Sequence, residues 1–138
     1  MDGVIRRDDW PERLQQEVEA AKTRPFSWGV FDCCLFAADC VQAMTGHDYA
    51  EDFRGRYLSR FGAMRCLKHI GAGDIGKTLD NMLEPIEPGL AGRGDLCLLP
   101  WRADLAIGVV IDHRCAVPAV PAGLAFVPKR DAVRAWRV

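Results

Sequence analysis

Three thiols share one short apolar run, FSWGVFDCCLFAADCVQAMTG from Phe26 to Gly46, and they are the side chains here best suited to covalent chemistry. Cysteine attacks a carbonyl only as thiolate. The start of a helix favours that form, because unpaired backbone N–H groups and the macrodipole stabilise negative charge there. Asp32 is a residue type that caps helices, and from Cys33 to Met44 nearly every residue is apolar. Cys33 is therefore the candidate nucleophile and Asp32 the cap of its helix. Cys40, deep in the same run, reads as a small core residue.

Hydrolysis of an amide needs a second group, a histidine that takes the thiol proton and returns it to the leaving amine. The chain offers His47, His69 and His113. His113 sits in DHR, Asp112 to Arg114, an expected hairpin turn where a solvated residue is the plainer reading; it is kept as the one candidate base. His69 follows Lys68 on a helix side expected to face water. His47 lies a whole helix away from Cys33, at about 1.5 Å per residue. The six cysteines contain no C-x-x-C pair, and adjacent Cys33 and Cys34 are expected to point to different sides of any regular element, so neither a metal nor another cofactor is expected.

Two further patterns compete. GAGDIGKT, Gly71 to Thr78, satisfies the phosphate-loop spacing, but such a loop works only between a buried parallel strand and a helix. The preceding SRFGAMRCLKHI reads as a helix, so Gly71 and Gly73 are a helix stop and a turn. Asp32 and Asp39 share a helix face, with Asp39 the expected partner of Arg54 or Arg56 in FRGRY, a packed loop whose arginines pair with acids of the first two helices.

The elements that must position Cys33 follow from periodicity. Asp9 with Glu12 three residues on predicts a cap and a first helix over about 10–23, carrying Leu14, Val18 and Ala21. Asp32 and Gly46 bound the second. A third places Phe61, Met64, Leu67 and Ile70 on one face and ends at Gly71; a short fourth runs from Asp74 through Ile75, Leu79 and Met82. After the connector EPIEPG the texture changes to DLCLLP, LAIGVVI, CAVPAV and GLAFVP, short strand-like runs split by turn residues. Helices over about 9–85, then strands over about 93–138, predict one α+β domain, 1–138, with its N-terminal helices packed on a small antiparallel sheet.

Eighteen basic against nineteen acidic residues leave no field to recruit nucleic acid, and no uncharged run reaches the roughly 20 residues of a membrane span. The opening MDGVIRRDDW has no apolar core of leader length, so the expectation is a soluble protein made in the cytoplasm with reduced thiols.

The motifs also carry a resemblance. WG-x-x-DC at Trp28 to Cys33, RGDL at Arg93 to Leu96 and a later strand with Gly108 at its centre resemble the NlpC-type branch of papain-like cell-wall peptidases. The fuller set is PF-x-WG-x-x-DC-x-LFAAD, Thr45–Gly46, FRGRY at Phe53 to Tyr57, RGD and a terminal AWRV. It is similar to a family of small proteins encoded among phage and prophage tail genes, which often has histidine before the DC pair where this chain has Phe31. In the peptidase pattern the catalytic histidine stands two residues before the central glycine; that position is Ala106, and the next strand, CAVPAV, holds nothing able to orient an imidazole. The resemblance thus implies a papain-like, NlpC-type domain that keeps Cys33 and lacks the histidine. Its implied role is a structural or assembly protein of a bacterial virus tail tip, partnered by other tail-tip or hub proteins. Trp101 is a contact candidate there and Trp28 a core residue. The alternative it implies is an active peptidase or amidase cutting peptidoglycan stem peptides, with Cys33 as nucleophile and His113 or a neighbouring subunit as base.

Overall fold

The element that carries Cys33, α2 (Cys33–Thr45), is bounded as its ends dictate. Asp32 is extended and its side chain accepts the Leu35 N–H, while Gly46 at φ +82° closes the helix in the left-handed conformation that glycine adopts without penalty. The computed structural model describes residues 5–138; Met1–Val4, read above for a leader, lie outside them. The preceding α1 (Trp10–Ala21) buries Leu14, Val18 and Ala21 and ends two residues earlier than the periodicity predicts. Asp9 occupies the cap position but makes no cap. Its backbone is not extended, and its carboxylate instead accepts the Arg13 Nε at 2.8 and 2.9 Å.

α3 (Arg60–His69) forms where predicted, capped by Ser59, yet its large apolar residues are not its buried face. Phe61, Met64 and Ile70 are exposed and Cys66 is buried. Small residues explain this: a Cβ on Gly62 would stand 3.0 Å from the Tyr57 Cβ, so the helix lies close against Tyr57 through its small side and turns the bulky one outward. α4 (Ile75–Asp80) is capped by Asp74, which accepts the Lys77 N–H.

Six antiparallel strands follow, β1 (Glu84–Ile86), β2 (Leu96–Trp101), β3 (Asp104–Val110), β4 (Arg114–Pro118), β5 (Leu124–Pro128) and β6 (Arg134–Arg137), in the order β1-β6-β2-β3-β4-β5. The expected sheet is therefore extended at one side. The connector EPIEPG, expected as non-strand, contributes β1, whose Pro85 is tolerated because an edge strand needs no donor on its outer side. AWRV, read only as a motif, forms β6 and slots between β1 and β2. Trp136 is completely buried there, and its indole N–H donates to Asp80 at 2.9 Å, fastening α4 to the strand.

The helices lie on one face of the sheet, as expected for α+β. Leu96, Leu98, Ile107, Val109 and Ala116 pack with Leu14, Phe36, Val41 and Met44. The alternate residues, Cys97, Leu99, Ala106, Val110, Cys115 and Val117, form a second buried cluster on the other face together with Ala91 and Ala132. Burial on both faces is why these strands read as unbroken apolar runs. Asp95 of RGD locks the two ends of the chain together, accepting from Arg6, from the Gly92 N–H and from the Val138 N–H at 2.9 Å each.

Candidate functional site

The WG-x-x-DC segment is a tight loop wound round the Asp32 carboxylate. That group is 1 % exposed and takes three donors: the Leu35 N–H at 3.0 Å, the Gly29 N–H at 2.9 Å and the Tyr57 hydroxyl at 2.6 Å. Gly29 is required twice over, by φ +83° and because a Cβ there would stand 2.0 Å from the Tyr57 carbonyl oxygen. Trp28 is half-buried, edge-on to Phe26 at 5.1 Å, and Trp101 is also half-buried.

This loop delivers Cys33, half-buried, to the first position of α2. Its neighbour corrects an expectation. The sulfurs of Cys33 and Cys34 do not diverge but lie 3.9 Å apart, since successive helical residues are separated by about 100° and not by the 180° of a strand. The Cys34 thiol beside it holds the Cys33 thiol below its ordinary range; burial opposes this, and the Ile107 N–H assists. The same contact, with burial, pushes the Cys34 thiol well above its ordinary range. Of the two thiols, Cys33 is thus the one that loses its proton more readily.

Among the described residues no histidine is hydrogen-bonded to Cys33. Cys33 packs against the sheet cluster to which Ala106, two residues before Gly108, belongs, and that position carries a methyl group and no imidazole. His113 is in the β3–β4 turn with its side chain 83 % exposed, and its Nδ1 is 3.5 Å from Asp112. Six residues of strand and turn separate it from Ile107, about 20 Å if extended. His47 is exposed, stacked edgewise on Tyr49 at 4.3 Å, and His69 is exposed in the last turn of α3. The structure thus unites Asp32 with Cys33 and leaves all three imidazoles outside that grouping.

The remaining motif residues serve packing. A Cβ on Gly108 would meet the Leu99 Cδ1 at 2.5 Å and the Cys115 Cβ at 2.8 Å, so this glycine makes room for the second cluster. Arg54 bridges Asp39 and Asp48 at 2.8 Å each, tying the FRGRY loop to α2. Arg56 is exposed and makes no ion pair among the described residues, unlike the expected loop with both arginines engaged. GAGDIGKT follows α3 rather than a strand and its last four residues are themselves the start of the six-residue α4, and the Thr78 hydroxyl is bonded to the Asp74 carbonyl and the Ala72 N–H. It has no phosphate-loop geometry.

Sequence reasoning did not assign Tyr57 its role. Its hydroxyl meets Asp32 across 25 residues, and only its place in FRGRY marked it. Nor was the apolar cavity of about 80 Å³ between α2, α3 and α4 anticipated; Cys34, Phe53, Tyr57, Ala63, Leu79 and Ile107 are among its walls. No helix among the described residues is long and apolar enough to cross a membrane.

Comparison with known proteins agrees with this geometry. The profile of a family described as "Domain of unknown function (DUF6950)" matches residues 5–138. Among solved structures, the NlpC/p60 domain of the peptidoglycan hydrolase SagA superposes with a TM-score of 0.60 at 14 % identity, over 92 % of this chain and 97 % of that one, which shows an NlpC/p60-like, papain-like fold. No curated protein matches the sequence.

Proposed function

The chain belongs to the DUF6950 family, and on that premise we propose that it is a papain-like domain working as a scaffold, a structural or assembly protein of a phage-type tail tip, and not as a hydrolase. The observation that carries the non-catalytic reading is the thiol without a base: among the described residues Cys33 is bonded to Cys34, packs against an apolar cluster of the sheet, and has no imidazole partner. A thiolate can attack, but without a positioned acid the leaving amine departs unprotonated, and general acid–base assistance is worth typically about 10²–10⁴-fold. The tail role is supported by the motif set from PF-x-WG to AWRV. Its partners are other tail-tip or hub proteins, and its place is the virion after synthesis in the bacterial cytoplasm. Affinity capture of the tagged chain from cells expressing the neighbouring tail genes tests this; stoichiometric recovery of a tail protein supports the reading, and recovery of the chain alone from assembled tails removes it.

One observation favours a second reading. Cys33 stands half-buried at the first position of α2, where a helix start favours thiolate, and this suits a cysteine peptidase or amidase acting on peptidoglycan stem peptides with a base brought by another subunit. Release of new amino termini from purified cell wall, compared between wild type and Cys33→Ala, separates the two. Release by the wild type alone would establish the enzyme.

A further inference from the structure

Cys33 and Cys34 are neighbours in sequence with sulfurs 3.9 Å apart, and geometry decides what can join them. A disulfide needs an S–S distance of about 2.0 Å and normally Cα atoms about 4.4–6.8 Å apart, whereas consecutive Cα atoms across a trans peptide are about 3.8 Å apart. Direct bridging would therefore distort the first turn of α2. A pyramidal trivalent centre, whose bond angles are nearer 100° than tetrahedral, holds two sulfurs roughly 3.5 Å apart at thiolate bond lengths of about 2.3 Å. The two thiols stand a small side-chain rotation away from that span. A metal that demands four protein ligands finds too few, for no group of three or more His, Cys, Asp or Glu converges among the described residues.

The centre that fits takes two sulfurs and keeps a third, non-protein substituent, as a trivalent metalloid does. The surroundings say what that substituent should be. Cys34 opens on the apolar cavity of about 80 Å³, and the Tyr57 hydroxyl at its wall is already committed to Asp32, so the space favours a small carbon group over a hydroxyl. Both cysteines are half-buried, not sealed in the core as Cys40, Cys97 and Cys115 are.

We propose that Cys33 and Cys34 form a dithiol site for an organic trivalent arsenical, with arsenic bridging the sulfurs and its small alkyl group in the cavity beside Cys34. The exchange balances without redox: two As–OH bonds break, two As–S bonds form, and each hydroxyl leaves as water with one thiol proton. The proposal is independent of whether Cys33 turns over any peptide.

The test uses the full chain, reduced, with methylarsonous acid or arsenite as probe and intact-mass spectrometry as readout. One methylarsenic group per chain is expected, removed by 2,3-dimercaptopropanol and resistant to the same thiol concentration as 2-mercaptoethanol. Cys33→Ala and Cys34→Ser should each abolish the resistant adduct, while Cys97→Ala keeps it; the Cys34→Ser variant preserves side-chain size and its fold is checked by near-UV circular dichroism. Ala63→Leu, which narrows the cavity, should weaken retention of the methyl compound severalfold and leave arsenite binding unchanged. No adduct on the wild type, a resistant adduct surviving in folded Cys34→Ser, mapping to Cys97 and Cys115, or an indifferent Ala63→Leu would overturn the proposal.

Discussion

Removing one oxygen atom, in Tyr57→Phe, tests how the loop before Cys33 is held. The hydroxyl donates to the buried Asp32 carboxylate at 2.6 Å, and Tyr57 itself is 7 % exposed, so phenylalanine keeps the packing against α3 and deletes only the bond. Asp32 keeps its two backbone donors, from Gly29 and Leu35, but loses the third in a site water does not reach. A hydrogen bond to a charged group contributes about 1.5–3 kcal/mol. At about 2.1 cal/mol/K per residue, 138 residues unfold with roughly 0.3 kcal/mol/K, which turns that loss into a fall in Tm of about 5–10 °C. Calorimetry of the two proteins at neutral pH reads it directly. A fall of less than about 2 °C in a variant with unchanged near-ultraviolet circular dichroism would refute the claim that this bond anchors the site.

Two other perturbations have signed outcomes. Gly108→Ala inserts a methyl 2.5 Å from Leu99 and 2.8 Å from Cys115, an overpacking that should cost about 1–3 kcal/mol in chemical denaturation; a neutral result would show that the second cluster is loosely packed. Glu17, in the groove between α1 and α2, has its carboxyl raised above the ordinary range, chiefly by burial and then by Asp39, with Arg24 opposing. A folded carboxyl that holds its proton longer than the unfolded one loses stability as pH rises from about 4 through its folded value. Glu17→Gln should therefore melt higher than wild type at pH 7 and converge with it below about pH 4; parallel melting curves across that range would contradict the assignment.

Much of this architecture was legible because its determinants are local. Asp32, a cap followed by an apolar run and closed by Gly46, specifies α2 by rules that operate within one or two turns, and DHR specifies its hairpin likewise. Where tertiary contacts decide, legibility stopped. Periodicity located α3 but not its buried side, because small residues pressed against Tyr57 outweighed the larger Phe61 and Met64. β1 is three residues long with a proline, and becomes a strand only because β6, more than forty residues later, pairs with it. In the site, helix-start Cys33 and Asp32 could be read directly. Tyr57, the Cys34 sulfur and the Ile107 amide required the folded chain to bring them there.

The central claim is that the Cys33 thiol has no imidazole partner, and the pH dependence of its reaction with 2,2′-dipyridyl disulfide measures that most directly. A thiolate held only by a neighbouring thiol and a backbone amide should titrate in one step, with a midpoint below that of ordinary cysteine near 8.5, and that midpoint should rise in Cys34→Ala. A cysteine–histidine ion pair instead keeps its thiolate down to about pH 3–4 and shows a second step when the imidazolium deprotonates. A two-step profile for Cys33, with rapid reaction surviving at pH 4, would contradict the account.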